Sequence, residues 1–323
     1  MRLIIRTDAS ESSDFGTGHV QRMTLFAENI KNYGNIFFLM RSKNQFSVSK
    51  TIQTKFRVVK INSDRDLEQN TKEELFSILK LKPDIVFFDR LKTNYNLIHI
   101  LKKKNVKVVS FDDSGSGSKL TNLTFNSLVS SKLEEANILN GYKYLILNKN
   151  IKNKKTRKNQ IFISFGGFDK KKLCQKMLQK IDFNKFNNYK FILVCGSNSY
   201  KQQLEKFIKI TGINNVKILA RANNFLEILS NSKLSITAGG ITLFESIRLK
   251  TPSLCYPQFH HQIRNINQLE DLGLTIKVRM NQCLTKQILK TLNQLNHKKT
   301  NIIDGLGVDR VVKELKQRKI LWT

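Results

Sequence analysis

The sequence predicts an α/β protein built from two Rossmann-like domains facing each other across a cleft. Three observations carry that expectation. Apolar runs of strand length alternate with amphipathic helical runs from one end of the chain to the other. Each half opens with a strand entering a glycine loop, marked by Gly16 and Gly18 in the first and by Gly166 and Gly167 in the second. Between them, residues 148–159 (NKNIKNKKTRKN) hold almost no apolar side chains and read as a linker. At 323 residues there is room for two domains, placed at 1–150 and 151–323.

In order along the first half, residues 3–6 form a buried strand, and Val20, Met23, Ala27 and Ile30 lie at helical spacing within a helix over 20–33. Strands follow at 35–40, 56–61, 84–88 and 106–111, with helices at 67–79 and 95–104 and a short closing strand at 144–147. The second half restarts with a strand at 160–164 and continues with strands at 191–195, 216–219, 234–236 and 253–256. Helices intervene at 170–180, 202–210, 225–229, 243–249 and 265–272.

Composition narrows the class. No apolar run approaches the roughly 20 residues that a membrane span needs. The apolar stretch before Arg6 is too short for a signal peptide, so a cytoplasmic protein is expected. Cys174, Cys195, Cys255 and Cys283 are scattered, which fits free thiols and neither a zinc site nor a disulfide frame. The formal charge is +31, from 56 Lys and Arg against 25 Asp and Glu. Such an excess ordinarily points to nucleic acid or an anionic surface. Here the lysines are spread along the whole chain, while Pro (3) and Trp (1) are scarce and Lys, Asn, Ile and Phe abound. That is the bias of an AT-rich coding sequence, and no specific nucleic-acid partner is expected. The general field still favours anionic substrates.

The first candidate site is Arg6-Thr7-Asp8-Ala9-Ser10 with Phe15-Gly16-Thr17-Gly18-His19-Val20-Gln21-Arg22. His19 falls at the start of a helix, with Thr17 as a candidate N-cap. The positive end of a helix disfavours imidazolium, and a neutral imidazole is what a general base must be. Arg22, three residues on, shares that face and offers an anion contact. The bland alternative is a helix-start histidine bonded to backbone. Asp8 and Ser10 fit either as groups orienting the loop or histidine, or as ordinary turn residues.

The second half offers two more loops. In Ser164-Phe165-Gly166-Gly167-Phe168-Asp169 the glycines allow close backbone approach to a ligand, whereas Asp169 reads best as the cap of the next helix. In Ala238-Gly239-Gly240-Ile241-Thr242-Leu243-Phe244-Glu245 the exposed N–H groups after the glycines suit a pyrophosphate. Thr242 and Glu245 have the spacing of a capping box, and equally Glu245 suits both hydroxyls of a ribose. His260, His261 and Gln262 follow Pro257 at the next strand end. Adjacent histidines point apart, so a polar contact to sugar or phosphate is favoured over a shared metal.

These residues together resemble the nucleotide-sugar hydrolases of the pseudaminic-acid pathway. Those enzymes remove UDP from UDP-2,4-diacetamido-2,4,6-trideoxy-β-L-altropyranose. The resemblance runs through Arg6-x-Asp8-Ala9-Ser10, Gly16-x-Gly18-His19-Val20-x-Arg22 and Asp112-Asp113. It continues through Ser164-x-Gly166-Gly167-x-Asp169 and Ala238-Gly239-Gly240-x-Thr242-x-x-Glu245 to Asp304-Gly305-x-Gly307-x-x-Arg310-Val311. The opening motif is fairly specific. The glycine and Glu245 motif is shared with a wider set of UDP-sugar glycosyltransferases.

The resemblance implies a GT-B-like architecture, His19 as base in the first half, and UDP held by the second around Gly239, Gly240, Thr242 and Glu245. It implies no metal or other cofactor, a UDP-sugar as the small-molecule partner, and a final helix over 308–316 packing on the first domain; the oligomeric state is left open, with a monomer as the expectation. Two positions depart from the pattern. His261-Gln262 stands where the family shows Asn-Gln, and Asp89-Arg90-Leu91 where it shows Asp-x-Tyr. The leading expectation is hydrolysis of a UDP-sugar. A GT-B glycosyltransferase using a UDP-sugar donor is the alternative, and a basic polyanion-binding protein is third.

Overall fold

Short runs of β-branched and aromatic residues, buried on both faces, build two all-parallel sheets. The computed structural model describes residues 1–8, 17–41, 52, 54–61, 71–128, 135–150, 154, 156–293 and 301–322. Two units emerge: Met1–Asn148 together with Asp304–Thr323, and Lys149–Ile303. The first holds β1 (Arg2–Thr7), α1 (Gly18–Ile30), β2 (Asn35–Arg41), β3 (Arg57–Ile61), α2 (Thr71–Lys80) and β4 (Ile85–Asp89). Then come α3 (Tyr95–Lys103), β5 (Lys107–Phe111), β6 (Leu123–Asn126) and β7 (Ile138–Asn140). Its seven strands run β3-β2-β1-β4-β5-β6-β7.

The second unit holds β8 (Lys158–Ser164), α4 (Leu173–Lys180), β9 (Lys190–Cys195), α5 (Asn198–Thr211), β10 (Val216–Ala220) and α6 (Phe225–Asn231). It continues with β11 (Ser232–Thr237), α7 (Ile241–Arg248), β12 (Ser253–Cys255), α8 (Gln262–Asp271), β13 (Ile276–Lys277) and α9 (Leu284–Asn293). The strand order is β10-β9-β8-β11-β12-β13. In both sheets the chain grows to one side of its first strand and then switches to the other, at β1/β4 and at β8/β11. Carboxyl ends of strands at such switch points are where open α/β sheets place ligands.

Packing follows the predicted stripes. Val20, Met23, Ala27 and Ile30 are all buried on α1, joined by Phe26. The Phe26 ring meets Phe87 and Phe111 edge-on at 5.0 and 5.3 Å. Each such ring contributes on the order of 2–3 kcal/mol through burial. The second core centres on Ile161, Ile163, Met177, Leu193, Ile236 and Leu254. Cys174, Cys195 and Cys255 are buried free thiols and Cys283 is exposed.

Several expectations change. The strand expected at 144–147 is absent: Tyr142–Tyr144 forms a 3₁₀ turn, and 145–147 bury their side chains without joining a ladder. The last first-unit strands are β6 and β7, four and three residues long, too short for a legible alternation. The helix expected over 67–79 is α2, with 67–70 outside the described residues. α9 and β13 were not expected. The polar run 148–159 also ends early, because β8 starts at Lys158. Arg157 is no linker residue: Nη1 donates to Ser230 O at 2.6 Å and Thr251 Oγ1 at 2.7 Å, and Nη2 to Leu249 O at 2.7 Å. No helix of the described residues is long and apolar enough to cross a membrane.

Residues 304–323 count with the first unit. There α10 (Gly307–Gln317) buries Val308, Val311 and Leu315, Tyr144 Oη donates to Glu314 at 3.4 Å, and Arg310 Nη1 donates to Lys143 O at 3.1 Å. A Cβ on Gly307 would lie 2.0 Å from Leu145 O and 2.5 Å from its carbonyl carbon, backbone atoms with little freedom to yield. Gly307→Ala is therefore expected to destabilise the first unit by about 1–3 kcal/mol. A urea-unfolding midpoint equal to that of the natural protein would contradict the close docking of α10.

Candidate active site

The first unit gathers its charged side chains at the carboxyl edge of its sheet, around the β1/β4 junction. Gly18 is the first residue of α1 and His19 the second, both half-buried. Residues 9–16, with Ala9, Ser10 and Gly16, lie outside the described residues. Thr17 stands at the N-cap position without a side-chain capping bond. Asp89 ends β4, and its Oδ1 is 2.7 Å from His19 Nδ1. Arg22 grips the same carboxylate, with Nε donating to Oδ2 at 2.7 Å and Nη2 to Oδ1. Burial alone would raise the Asp89 carboxyl, but Arg22 and His19 override it and hold it down at about 2. An ionised carboxylate only accepts, so neutral His19 carries its proton on Nδ1 and its lone pair on Nε2. That tautomer suits a general base.

Arg22 does not play the part expected of it. It is 3% exposed, and Nη1 donates to Asp112 Oδ2 while Nε and Nη2 hold Asp89. A guanidinium clamped between two carboxylates holds the dyad in place and does not serve as an anion contact. Asp112 follows β5 with a φ of 50°, a left-handed turn that Asp tolerates better than most residues. Its Oδ1 accepts the N–H groups of Ser127 and Leu128, both at 2.6 Å.

While His19 bonds Asp89, Asp8 pairs with two guanidinium groups. Its Oδ2 accepts from Arg6 Nη2 at 2.8 Å and lies 3.3 Å from Arg41 Nε, and its Oδ1 accepts from Arg41 N at 3.0 Å. Arg6 in turn donates through Nε to Glu74 at 2.6 Å, and Glu74 accepts Arg90 Nη1 at 2.8 Å. Burial works against the Asp8 charge, yet Arg6 and Arg41 hold the carboxyl down at about 2.

In the second unit three loops meet at the carboxyl ends of β8, β11 and β12. Gly166 is exposed at φ 85°, a conformation that favours glycine. Asp169 caps the next helix, its oxygens accepting Leu173 N–H and Cys174 N–H at 2.7 Å each and Tyr200 Oη–H at 3.0 Å. Gly167 carries the close contact: a Cβ on Gly196 would lie 1.7 Å from Gly167 O. At the next loop Gly239 is buried, where a Cβ would meet Ile266 at 2.7 Å and Gln262 at 2.9 Å.

Gly240 is the N-cap of α7 and no side chain caps it. Thr242 is therefore the second residue inside the helix, which removes the capping-box reading of Thr242 and Glu245. Neither the Thr242 hydroxyl nor the Glu245 carboxyl bonds a described residue. Glu245 is half-buried, and desolvation pushes its carboxyl up to about 8 against a pull from Arg248.

Gln262 does not face a ligand with its carbonyl group. Its Oε1 accepts Gln258 N–H at 2.9 Å and Phe259 N–H at 3.3 Å, closing its own loop. Gln258 Nε2 donates to Phe168 O and ties that loop to the Gly166–Gly167 turn. His261 is exposed and stacks on Phe259 at 5.7 Å.

Residues 147–304 match the glycosyltransferase family 28 C-terminal domain. The uncharacterized protein MJ1062 of Methanocaldococcus jannaschii is 27% identical over 277 residues, covering 78% of this chain and 54% of its own. The chain thus spans about half the length of that relative. The spore coat polysaccharide biosynthesis protein SpsG of Bacillus subtilis is 26% identical over 290 residues, 85% of this chain and 83% of SpsG. Among solved structures, Acinetobacter baumannii MurG aligns over 98% of this chain and 99% of its own, with a TM-score of 0.66 at 12% identity. The fold is that of GT-B proteins: two Rossmann-like domains, each with a parallel sheet.

Sequence reasoning gave no role to Asp89, Asp112 or Glu74 beyond motif positions. A signal was present, since Asp89 ends and Asp112 follows a mainly apolar strand (IVFFD and VVSFD), where a buried charge demands a partner. Folded-state values of about 2 for Asp8 and Asp89, against an ordinary 3.8, mean that their stabilisation is complete above about pH 4 and lost as pH falls through 2. Asp8→Asn is expected to cost on the order of 2 kcal/mol at pH 7, with the gap to the natural protein closing toward pH 2. A gap independent of pH in urea titrations would contradict it.

Proposed function

We propose that this protein cleaves the bond between the anomeric carbon and the diphosphate of a UDP-sugar, with water as the nucleophile. UDP and the free sugar leave. The His19–Asp89 pair supports the base, a tautomer fixed by a buried carboxylate with the lone pair on Nε2, and the motif resemblance favours water as the nucleophile. As the water oxygen bonds the anomeric carbon, Nε2 takes a water proton and the C–O electron pair departs on UDP. Asp89 then faces an imidazolium, which its charge stabilises. The second unit holds the nucleotide: N–H groups of the first turn of α7 and the Thr242 hydroxyl receive the diphosphate, and Glu245 the ribose hydroxyls. The family 28 domain match over this unit supports that division of labour.

For the sugar, the motif resemblance favours a UDP-2,4-diacetamido-2,4,6-trideoxyhexose, used in making pseudaminic acid or a related nonulosonic acid. The similarity to a polysaccharide biosynthesis protein is compatible with that setting. The second reading is transfer to an acceptor hydroxyl, which the glycosyltransferase family match favours. The same base serves both. Incubation with a panel of UDP-diacetamido sugars, with and without acceptors, separates them: free sugar and UDP from water alone support hydrolysis, and a strict acceptor requirement supports transfer.

His19→Ala and Asp89→Asn are each expected to reduce turnover by about 10²–10⁴-fold while leaving UDP affinity within a few fold. Near-normal turnover by His19→Ala would remove the base from the mechanism. Glu245 makes a separate prediction. With its carboxyl at about 8 in the free protein, the ionised form is the stronger acceptor and takes both ribose hydroxyls, so UDP affinity should rise with pH up to about 8 and level off. Glu245→Gln should bind more weakly, and calorimetry against this variant cancels the ionisation of UDP itself. Parallel pH curves for the two proteins would exclude the ribose contact.

A further inference from the structure

His19 does not face Asp89 alone, because that carboxylate is shared. Arg22 holds both of its oxygens, and the remaining terminal nitrogen of Arg22 reaches Asp112. His19, Asp89, Arg22 and Asp112 thus form one hydrogen-bonded file from α1 through the end of β4 to the end of β5. Arg22, Asp89 and Asp112 are 3%, 0% and 1% exposed, so water screens their charges little. With the imidazole neutral, two carboxylates and one guanidinium give the file a formal charge of −1. Proton uptake at His19 brings it to zero.

Neighbouring charged groups are engaged elsewhere. At the end of β1, Asp8 pairs with Arg6 and Arg41. Beyond β5, Asp113 accepts from Thr93 N–H and Gly115 N–H. On α10, which packs on α1, Arg310 pairs with Asp304, Glu314 with Arg318, and Lys316 lies over Tyr33.

We infer that the Arg22–Asp112 pair sets the proton affinity of His19, acting through Asp89 by dividing the guanidinium charge between two carboxylates. Arg22 and Asp112 are positioning residues in this scheme, and neither touches a reacting atom. If Asp112 is uncharged, the whole Arg22 charge bears on Asp89, and the imidazole holds its proton less firmly. If Arg22 is uncharged, two carboxylates remain and the imidazole holds it more firmly. The kinetic consequence rests on the proposed role of His19 as base, whereas the titration itself does not.

The test is the His19 titration in the full chain, by ¹H–¹³C NMR of the imidazoles, with the His19 signal identified among the five histidines from His19→Gln. Asp112→Asn should lower the His19 pKa by about half a unit or more, and Arg22→Gln should raise it by a similar amount. The double variant should fall between the two. Any two variants that fold establish the order. A role confined to holding the fold would move unfolding midpoints without this opposed pair of shifts. A flat or reversed order overturns the inference. The acid limb of the kcat/KM profile for UDP-sugar cleavage should move with the titration. If the ordered NMR shifts appear and the kinetic limb stays fixed, the charge file stands and the base assignment falls.

Discussion

A carboxylate buried at the end of β4 organises the first unit. Asp89 has no solvent to stabilise its charge, so it must be matched by donors within the protein. Arg22 supplies a paired grip and His19 a single bond. Both partners come from α1, three residues apart and hence on one face of that helix. The same requirement that neutralises Asp89 therefore orients the imidazole and fixes which nitrogen carries its proton. Removing any one of the three takes a hydrogen-bond partner from a buried group.

Parallel topology explains why this happens at one edge only. Strands buried on both faces admit few charges along their length, as Leu3, Ile4, Ile5, Val86 and Phe87 show at 0% exposure. Where the strands end, the chain turns toward helices, and polar side chains find backbone donors and one another. Arg6, Asp8, Asp89, Asp112 and Asp113 all stand at or beside such ends. The first strand lies next to β4 as well as β2, so the end of β1 stands beside the last residue of β4, with Thr7 in register with Asp89.

What could be read from the sequence was local. The α1 stripe, most strands of both sheets and the strand–glycine–helix punctuation depend on neighbours a few residues apart, and the sequence displays these directly. Pairings across the sheet do not. Arg22 finds Asp89 and Asp112 at separations of 67 and 90 residues, and a polar arginine on an amphipathic helix reads as solvent-facing until those partners are known. Arg157 and Gln262 misled for the same reason: charge or polarity was taken for exposure, while both side chains serve buried backbone groups. Thr242 and Glu245 were ambiguous because two physical roles share one spacing. The observed cap at Gly240 removes the capping-box role.

The two units solve the problem of buried polarity in opposite ways. In the first, Asp8, Glu74, Asp89 and Asp112 are all held by guanidinium groups from their own unit, so the carboxylates are fixed before any ligand arrives. Preorganisation of this kind serves chemistry, because nothing need rearrange as charge develops. In the second, the Glu245 carboxyl and Thr242 hydroxyl lie beside an uncapped helix start with no described residue to bond them. A half-buried carboxyl without described donors is costly to ionise, and desolvation pushes this one up to about 8. A ligand that brings hydroxyl donors and an anion to the same helix start relieves that cost on binding. One unit thus pairs its buried carboxylates internally, and the other leaves a carboxyl and a hydroxyl at a helix start without a bond to a described residue.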